Sequence, residues 1–217
     1  MNQETNNSLI GKIADSLGIN KQFHHYKETN IDPLDRALIS PAEGKVVHIG
    51  NVDNDGIIIS KHNKEVRLKE LIGEYYKQFS GGKYINIYLS PLNDHYWVTP
   101  YDGKFIYTQK NKGTAVFPVY IGLENLLGIE MFSKAVKKNA SIGSVFQTDK
   151  FPIAIIAVGS LNVNRIYTNY EEQKNYQKGT PCGYFSIGSS MLLCFPDYLK
   201  ILVEKGDKIK IGQRILL

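Results

Sequence analysis

Apolar residues recur at two different periods along this chain, and the change of period divides it. Between residues 8 and 18, Leu9, Ile13 and Leu17 fall four apart, with Ile10 and Ala14 beside them. That spacing lines one face of a helix, and Gly18 is a residue type that ends one. The polar stretch 1–7 carries no core pattern and is expected to be disordered. From Ala37 onward, short apolar runs alternate with Gly, Pro and Asn. They predict strands over 45–49, 56–60, 84–89, 104–108, 115–121, 153–158, 191–195 and 209–217, with a short one at 184–185. One helical stripe interrupts them at 66–79, formed by Leu68, Ile72, Tyr75 and Phe79. Pro118 marks its strand as an edge or a bulge. Segment 122–138 fits a helix face, a lid or a lipid-facing loop.

A repeat sets the architecture. Ile39-Ser40-Pro41-Ala42-Glu43-Gly44-Lys45-Val46 returns as Val98-Thr99-Pro100-Tyr101-Asp102-Gly103-Lys104-Phe105, an offset of 103 − 44 = 59. Each copy is a Pro-started turn, an acid, a glycine and a strand. The expected fold is α+β and predominantly β: a duplicated β-hairpin sandwich resembling a barrel-sandwich hybrid, with a few helices. Residues 1–36 form an N-terminal arm with the short amphipathic helix, and 37–217 form the domain. Biotinyl, lipoyl and glucose-type phosphotransferase carrier domains share this architecture, so the fold leaves function open.

Composition narrows the classes. Of the 217 residues, 42% are hydrophobic, enough for one core. No run approaches the about 20 apolar residues of a membrane span, and no secretion signal opens the sequence. Cys182 and Cys194 match no metal spacing and read as free thiols of a reducing compartment, which predicts a cytoplasmic protein. His24 and His25 lack further ligands at metal spacing and read as surface residues. Twenty-six basic against 21 acidic residues give +5, a mild attraction to anionic surfaces. No nucleic-acid motif accompanies it, so no nucleic-acid partner is expected. The arm either packs on the domain or lies in a lipid interface.

Candidate chemistry centres on Gly188-Ser189-Ser190, between the apolar pairs Tyr184-Phe185 and Met191-Leu192. This is either a strand with a Gly kink or a self-processing site. In the second case Ser189 Oγ attacks the Gly188 carbonyl, and β-elimination from the resulting ester cuts the chain and leaves a pyruvoyl end.

Four segments, in order, resemble the phosphatidylserine decarboxylase family. SPAEG at 40–44 is similar to the family's SPADG. YLSPLNDHYWVTPYDG at 88–103 is similar to LSP.D.H…P..G. KGTPCGYFSIGSS at 178–190 resembles the processing segment, cut between Gly and Ser. VEKGDKIKIGQRIL at 203–216 resembles the closing segment. The resemblance implies a short, pyruvoyl-dependent carboxy-lyase made as a proenzyme. Cleavage between Gly188 and Ser189 would leave chains of 188 and 217 − 188 = 29 residues. The cofactor would be the pyruvoyl group derived from Ser189, with no metal and no pyridoxal phosphate. His95 aligns with the family histidine assigned to acid–base work. Glu43 stands at the Asp of SPADG, and Ser190 would assist cleavage. The reaction implied is phosphatidylserine to phosphatidylethanolamine and carbon dioxide. The partners implied are a phospholipid substrate, an anionic membrane surface on the inner face, and further copies of the cleaved chains as a homo-oligomer.

Departures from the family pattern leave two alternatives. Long members carry a second histidine where this chain has Val98, short members carry Arg there, and the family's NER element is not visible. His48, on the strand after Glu43, is a candidate replacement base. Strand alternation would put it on the same face as Val46. One alternative is a non-processing homologue or a carrier-like binding module. The other is a decarboxylase of a soluble amino acid.

Overall fold

The computed structural model describes residues 26–59, 64–90, 92–113, 132–160, 165–185 and 189–217, with Asn2–Thr5 and single positions between 9 and 17. The fold is mostly β with few helices. An eight-stranded sheet runs in the order β12 (Asn175–Tyr176), β8 (Gly103–Asn111), β9 (Ser141–Gln147), β10 (Pro152–Gly159), β14 (Ser189–Phe195), β6 (Lys83–Leu89), β3 (Gly44–Asn51), β15 (Lys208–Ile209). A four-stranded sheet runs β1 (Asn2–Thr5), β11 (Arg165–Thr168), β13 (Pro181–Phe185), β7 (Tyr96–Val98). Two small ladders pair β16 (Arg214–Leu216) with β2 (Leu38–Ile39) and β4 (Ile57–Ile59) with β5 (Glu65–Arg67). Helix α1 (Lys69–Ile72) leads into a 3-10 helix, Gly73–Phe79, and α2 (Phe132–Lys138) lies further on.

The centre of the large sheet is buried on both faces, which is why β10 and β14 read as unbroken apolar runs. Ile153, Ile155, Met191, Leu193, Ile85 and Ile87 point to a first face, shared with Trp97, Cys182 and Phe185 of the small sheet. Ile156, Val158, Leu192, Cys194 and Tyr84 point to the second, covered by Leu71, Ile72, Phe79 and Val136 of the helices.

The repeat is visible in the hydrogen bonds. Ile39 N donates to Pro100 O (3.0 Å), and Val98 N donates to Pro41 O (2.9 Å). Each copy thus holds the other at the equivalent position, as a two-fold relation requires. A second pair of segments, offset by 33, completes the units. Val46 N donates to Asp207 O, and Phe105 N donates to Lys174 O. Gly212 N bonds Ser40 O, and Gly179 N bonds Thr99 O. Both copies also carry a bulge at one place, between Val46 and His48 in β3 and between Phe105 and Tyr107 in β8.

Three neighbouring strands cross from the large sheet to the small one. β10, β14 and β6 lie side by side in the first, and the segments joined to them, β11, β13 and β7, lie in the same order in the second. The described ends of the large-sheet strands, Gly159, Ser189 and Leu89, lie side by side at one corner of the molecule.

Several expectations are corrected. The 66–79 stripe is not one helix: 65–67 is strand, α1 stops at Gly73 with φ +57°, and a 3-10 turn follows. Asn2–Thr5 is not disordered but pairs with β11. Strand β9 had no prediction, because Ser141, Gly143 and Ser144 dilute its apolar pattern. Gly143 is fixed by space: a Cβ there would stand 2.1 Å from Leu71 O. In the N-terminal helix, Leu9, Ile13 and Leu17 are exposed. The strand at 115–121, residues 122–131, and His24 and His25 lie outside the described residues. Within 122–138, Phe132–Lys138 is helix.

Candidate active site

Ser189 opens β14 at this corner. It pairs with Leu89 on one side and Gly159 on the other, the last residues of β6 and β10. Alternation points its side chain to the first face. Its Oγ is buried and has no hydrogen-bond partner among the described residues. An unpaired buried hydroxyl carries a desolvation cost, so it marks either strain or a reactive group. Gly188, the other half of the bond expected to break, lies outside the described residues, as do Ser186 and Ile187.

His95 reaches the same corner from β6. It is fully buried just before β7, and its carbonyl accepts from Phe185 N at 2.7 Å. The residues that flank the β6–β7 and β13–β14 connections are therefore held to each other, Leu89 to Ser189 and His95 to Phe185. Glu43 joins them through a residue that the sequence did not flag. Asn93 donates from Nδ2 to Glu43 Oε1 (3.0 Å), while its Oδ1 accepts from Ser90 N and Ser90 Oγ, both 2.8 Å. One amide thus closes the loop and ties the half-buried carboxylate to the segment that carries His95. Lys27 bonds Asp94 at 2.6 Å beside it, which raises the Lys27 pKa.

Ser190 and His48 fall elsewhere. Ser190 Oγ points to the second face and donates to Asn86 Oδ1 at 2.5 Å. His48 does not share a face with Val46. The bulge between them inserts one residue, and the alternation flips across it. Val46 therefore packs in the first core while His48 pairs with Asn86 and meets Tyr84 on the second face. Tyr84 Oη lies 2.6 Å from His48 Nδ1. Burial raises the Tyr84 pKa, so the phenol keeps its proton and donates it in this bond. Partial burial, and then Lys205, lower the His48 pKa, so its ring is neutral at pH 7. Glu43, His95 and Ser189 are thus drawn to one corner, and His48 is turned away from it. Val98 is fully buried with Ile39, Tyr96 and Ile211, so its position holds no base.

A family model described as phosphatidylserine decarboxylase matches residues 21–217. The phosphatidylserine decarboxylase proenzyme of Brevibacillus brevis is 28% identical over 236 residues, covering 96% of this chain and 82% of that protein. The proenzyme of Anoxybacillus flavithermus is 29% identical over 190 residues, covering 85% and 69%. That of Halalkalibacterium halodurans is 28% identical over 201 residues, covering 86% and 71%.

Proposed function

The chain belongs to the phosphatidylserine decarboxylase family, a family of carboxy-lyases, and from that premise we propose how it acts. It is made as a proenzyme, cuts itself between Gly188 and Ser189, and converts phosphatidylserine to phosphatidylethanolamine and carbon dioxide. The observation that carries this is the buried, unpartnered Ser189 Oγ at the corner that also gathers His95 and Glu43.

Cleavage begins when Ser189 Oγ attacks the Gly188 carbonyl carbon and the residue-189 nitrogen leaves, giving an ester. Removal of the residue-189 Cα proton then expels the Gly188 carboxylate and frees the first chain. Water releases ammonia from the unsaturated residue that remains, which becomes the pyruvoyl end. Glu43, held by Asn93, orients the proton acceptor for the first step. The site fits such a group: residue 189 is buried, its first side-chain atoms lack a polar partner, and its neighbours are Leu89 and Gly159. A pyruvoyl group supplies an electron sink for the charge left when carboxylate departs as carbon dioxide. His95 delivers the proton from its imidazole to the substrate carbon, and its full burial excludes competing water.

The duplicated units form a sandwich of the barrel-sandwich type, supported by their reciprocal bonds. The lipid surface is met peripherally on the inner face, supported by the +5 charge and the exposed Leu9, Ile13 and Leu17. Among the described residues, no helix is long and apolar enough to cross a membrane. A second reading, a relative that never cuts, has one observation in its favour: the apolar site of Val98.

Intact mass of freshly made protein over time tests the proposal. Chains of 188 and 29 residues are expected, the shorter one trapped by borohydride at its new end. A folded chain that stays whole overturns it.

A further inference from the structure

The mechanism above uses Ser189 and leaves unexplained a polar pair behind it. Asn86 and Ser190 are 3% and 0% exposed, on a face shared with Ile156, Val158, Leu192 and Cys194 and with the His48–Tyr84 pair. Ser190 Oγ donates to Asn86 Oδ1 at 2.5 Å across β6 and β14, with a longer contact to Ile87 O at 3.3 Å. A buried polar pair among apolar neighbours adds little net stability, yet it fixes one register, because either member alone is costly.

We propose that Asn86 is a positioning residue: it clamps Ser190, and through Ser190 it holds residue 189 in place after the chain is cut. This rests on the processing described above. Scission at 188–189 turns the interior of a chain into a strand end, and strand ends fray. Residue 189 then keeps only its ladder with Leu89 and Gly159. Successive side chains point to opposite faces of a strand, so anchoring 190 to the second face commits 189 to the first. The clamp sits one residue from the new end, where a single side-chain bond has most leverage on it.

The test separates positioning from mere stability. Asn86→Leu, Ser190→Ala and the double variant are compared with the parent as full chains. Melting temperature, kcat and KM for decarboxylation, and the rate at which phenylhydrazine reaches the new carbonyl are measured on each. The single variants should lose kcat by about five- to tenfold, the worth of one hydrogen bond, with KM little changed. Their carbonyl should react faster with phenylhydrazine. The double variant removes both polar partners, so its melting temperature should recover toward the parent while kcat and carbonyl reactivity stay defective. Recovery of all three together, or single variants with parental kcat and reactivity, overturns the clamp and leaves the processing reading standing. If the parent itself stays whole, the processing reading falls. The clamp is then read by hydrogen exchange at 189–191, which must quicken in Asn86→Leu and in the double variant; unchanged exchange overturns it.

Discussion

The turn at 40–44 and the turn at 99–103 are copies of one unit, and they treat their carboxylates differently. Asp102 Oδ1 accepts from the backbone of Lys178 at 2.6 Å, at the exposed end of a strand pair. Glu43 is half-buried and accepts instead from the Asn93 side chain, on the loop that leads to His95. Asp102 ties its turn to Lys178, in the second segment of its own unit. Glu43, one methylene longer, reaches across to a different connection. The bulge shows the same divergence: beyond it stand His48 in the first unit and Tyr107 in the second, both on the second face. Duplication accounts for the scaffold, and the chemistry proposed for this chain lies where one copy meets the three-strand crossing.

The largest expected effect lies outside both copies and sets the scale for them. Ser189→Ala removes the attacking oxygen and should leave one uncut chain on a gel at every time point. Cleavage of that variant at the parental rate would rule out Ser189 as nucleophile.

Next comes the contrast between the carboxylates. Glu43→Gln keeps size and removes charge, and should slow cleavage by about 10- to 100-fold, the range for a misplaced or weakened site group. Glu43→Asp should cut at least as fast as the parent. Asp102→Asn keeps an Oδ1 that still accepts from Lys178 N, so it should leave cleavage within about twofold and cost less than about 1 kcal/mol of stability in urea, the size of one hydrogen bond. Equal slowing by Glu43→Gln and Asp102→Asn would mean that both carboxylates serve only the fold.

The paired glycines sharpen the comparison through packing. A Cβ on Gly44 would stand 2.4 Å from Tyr88 O, whereas one on Gly103 would stand 3.1 Å from Gln147 O. Backbone cannot swing aside as a side chain can. Gly44→Ala should cost about 1–3 kcal/mol and Gly103→Ala less than about 1, read from urea midpoints. A reversed order would contradict the close approach of β3 to β6.

Much of this was legible in the sequence. The Pro-acid-Gly spacing announced the first part of each unit, and short apolar runs announced β6, β10 and β14. The second part, offset by 33, was not legible: Glu171 with Glu204 and Gly179 with Gly212 are too few identities to stand out. Backbone bonds hold those segments, and they need no particular side chain. The bulges were hidden for a related reason, since alternation rules assume one residue per step. Asn86 gave no signal because a lone amide in an apolar run looks like noise until its partner across the fold is known, and Asn93 gave none because an amide between Pro91 and Asp94 reads as an ordinary turn residue. Ser189 was singled out because Gly-Ser-Ser between apolar runs resembled a family segment, not through any burial pattern.

The smallest expected effect is a pH slope that only the first copy should possess. Partial burial, reinforced by Lys205, lowers the pKa of His48 below its usual value of 6.5. Its unfolded form therefore takes up a proton before its folded form does. Between those two pKa values the unfolded state binds more protons, so stability rises with pH. The contribution is full above about 6.5 and is lost as pH falls through the window beneath it. Protonation would also forfeit the Tyr84 bond, because a charged ring no longer offers Nδ1 as an acceptor. His48→Gln should flatten the fall in melting temperature between pH 7.5 and pH 5.5, windows set on either side of the usual histidine value. Tyr107→Phe, at the matching place in the other copy, is the control and should leave the slope as it is. A slope that survives His48→Gln unchanged would assign the acid sensitivity to another group and remove His48 from the account.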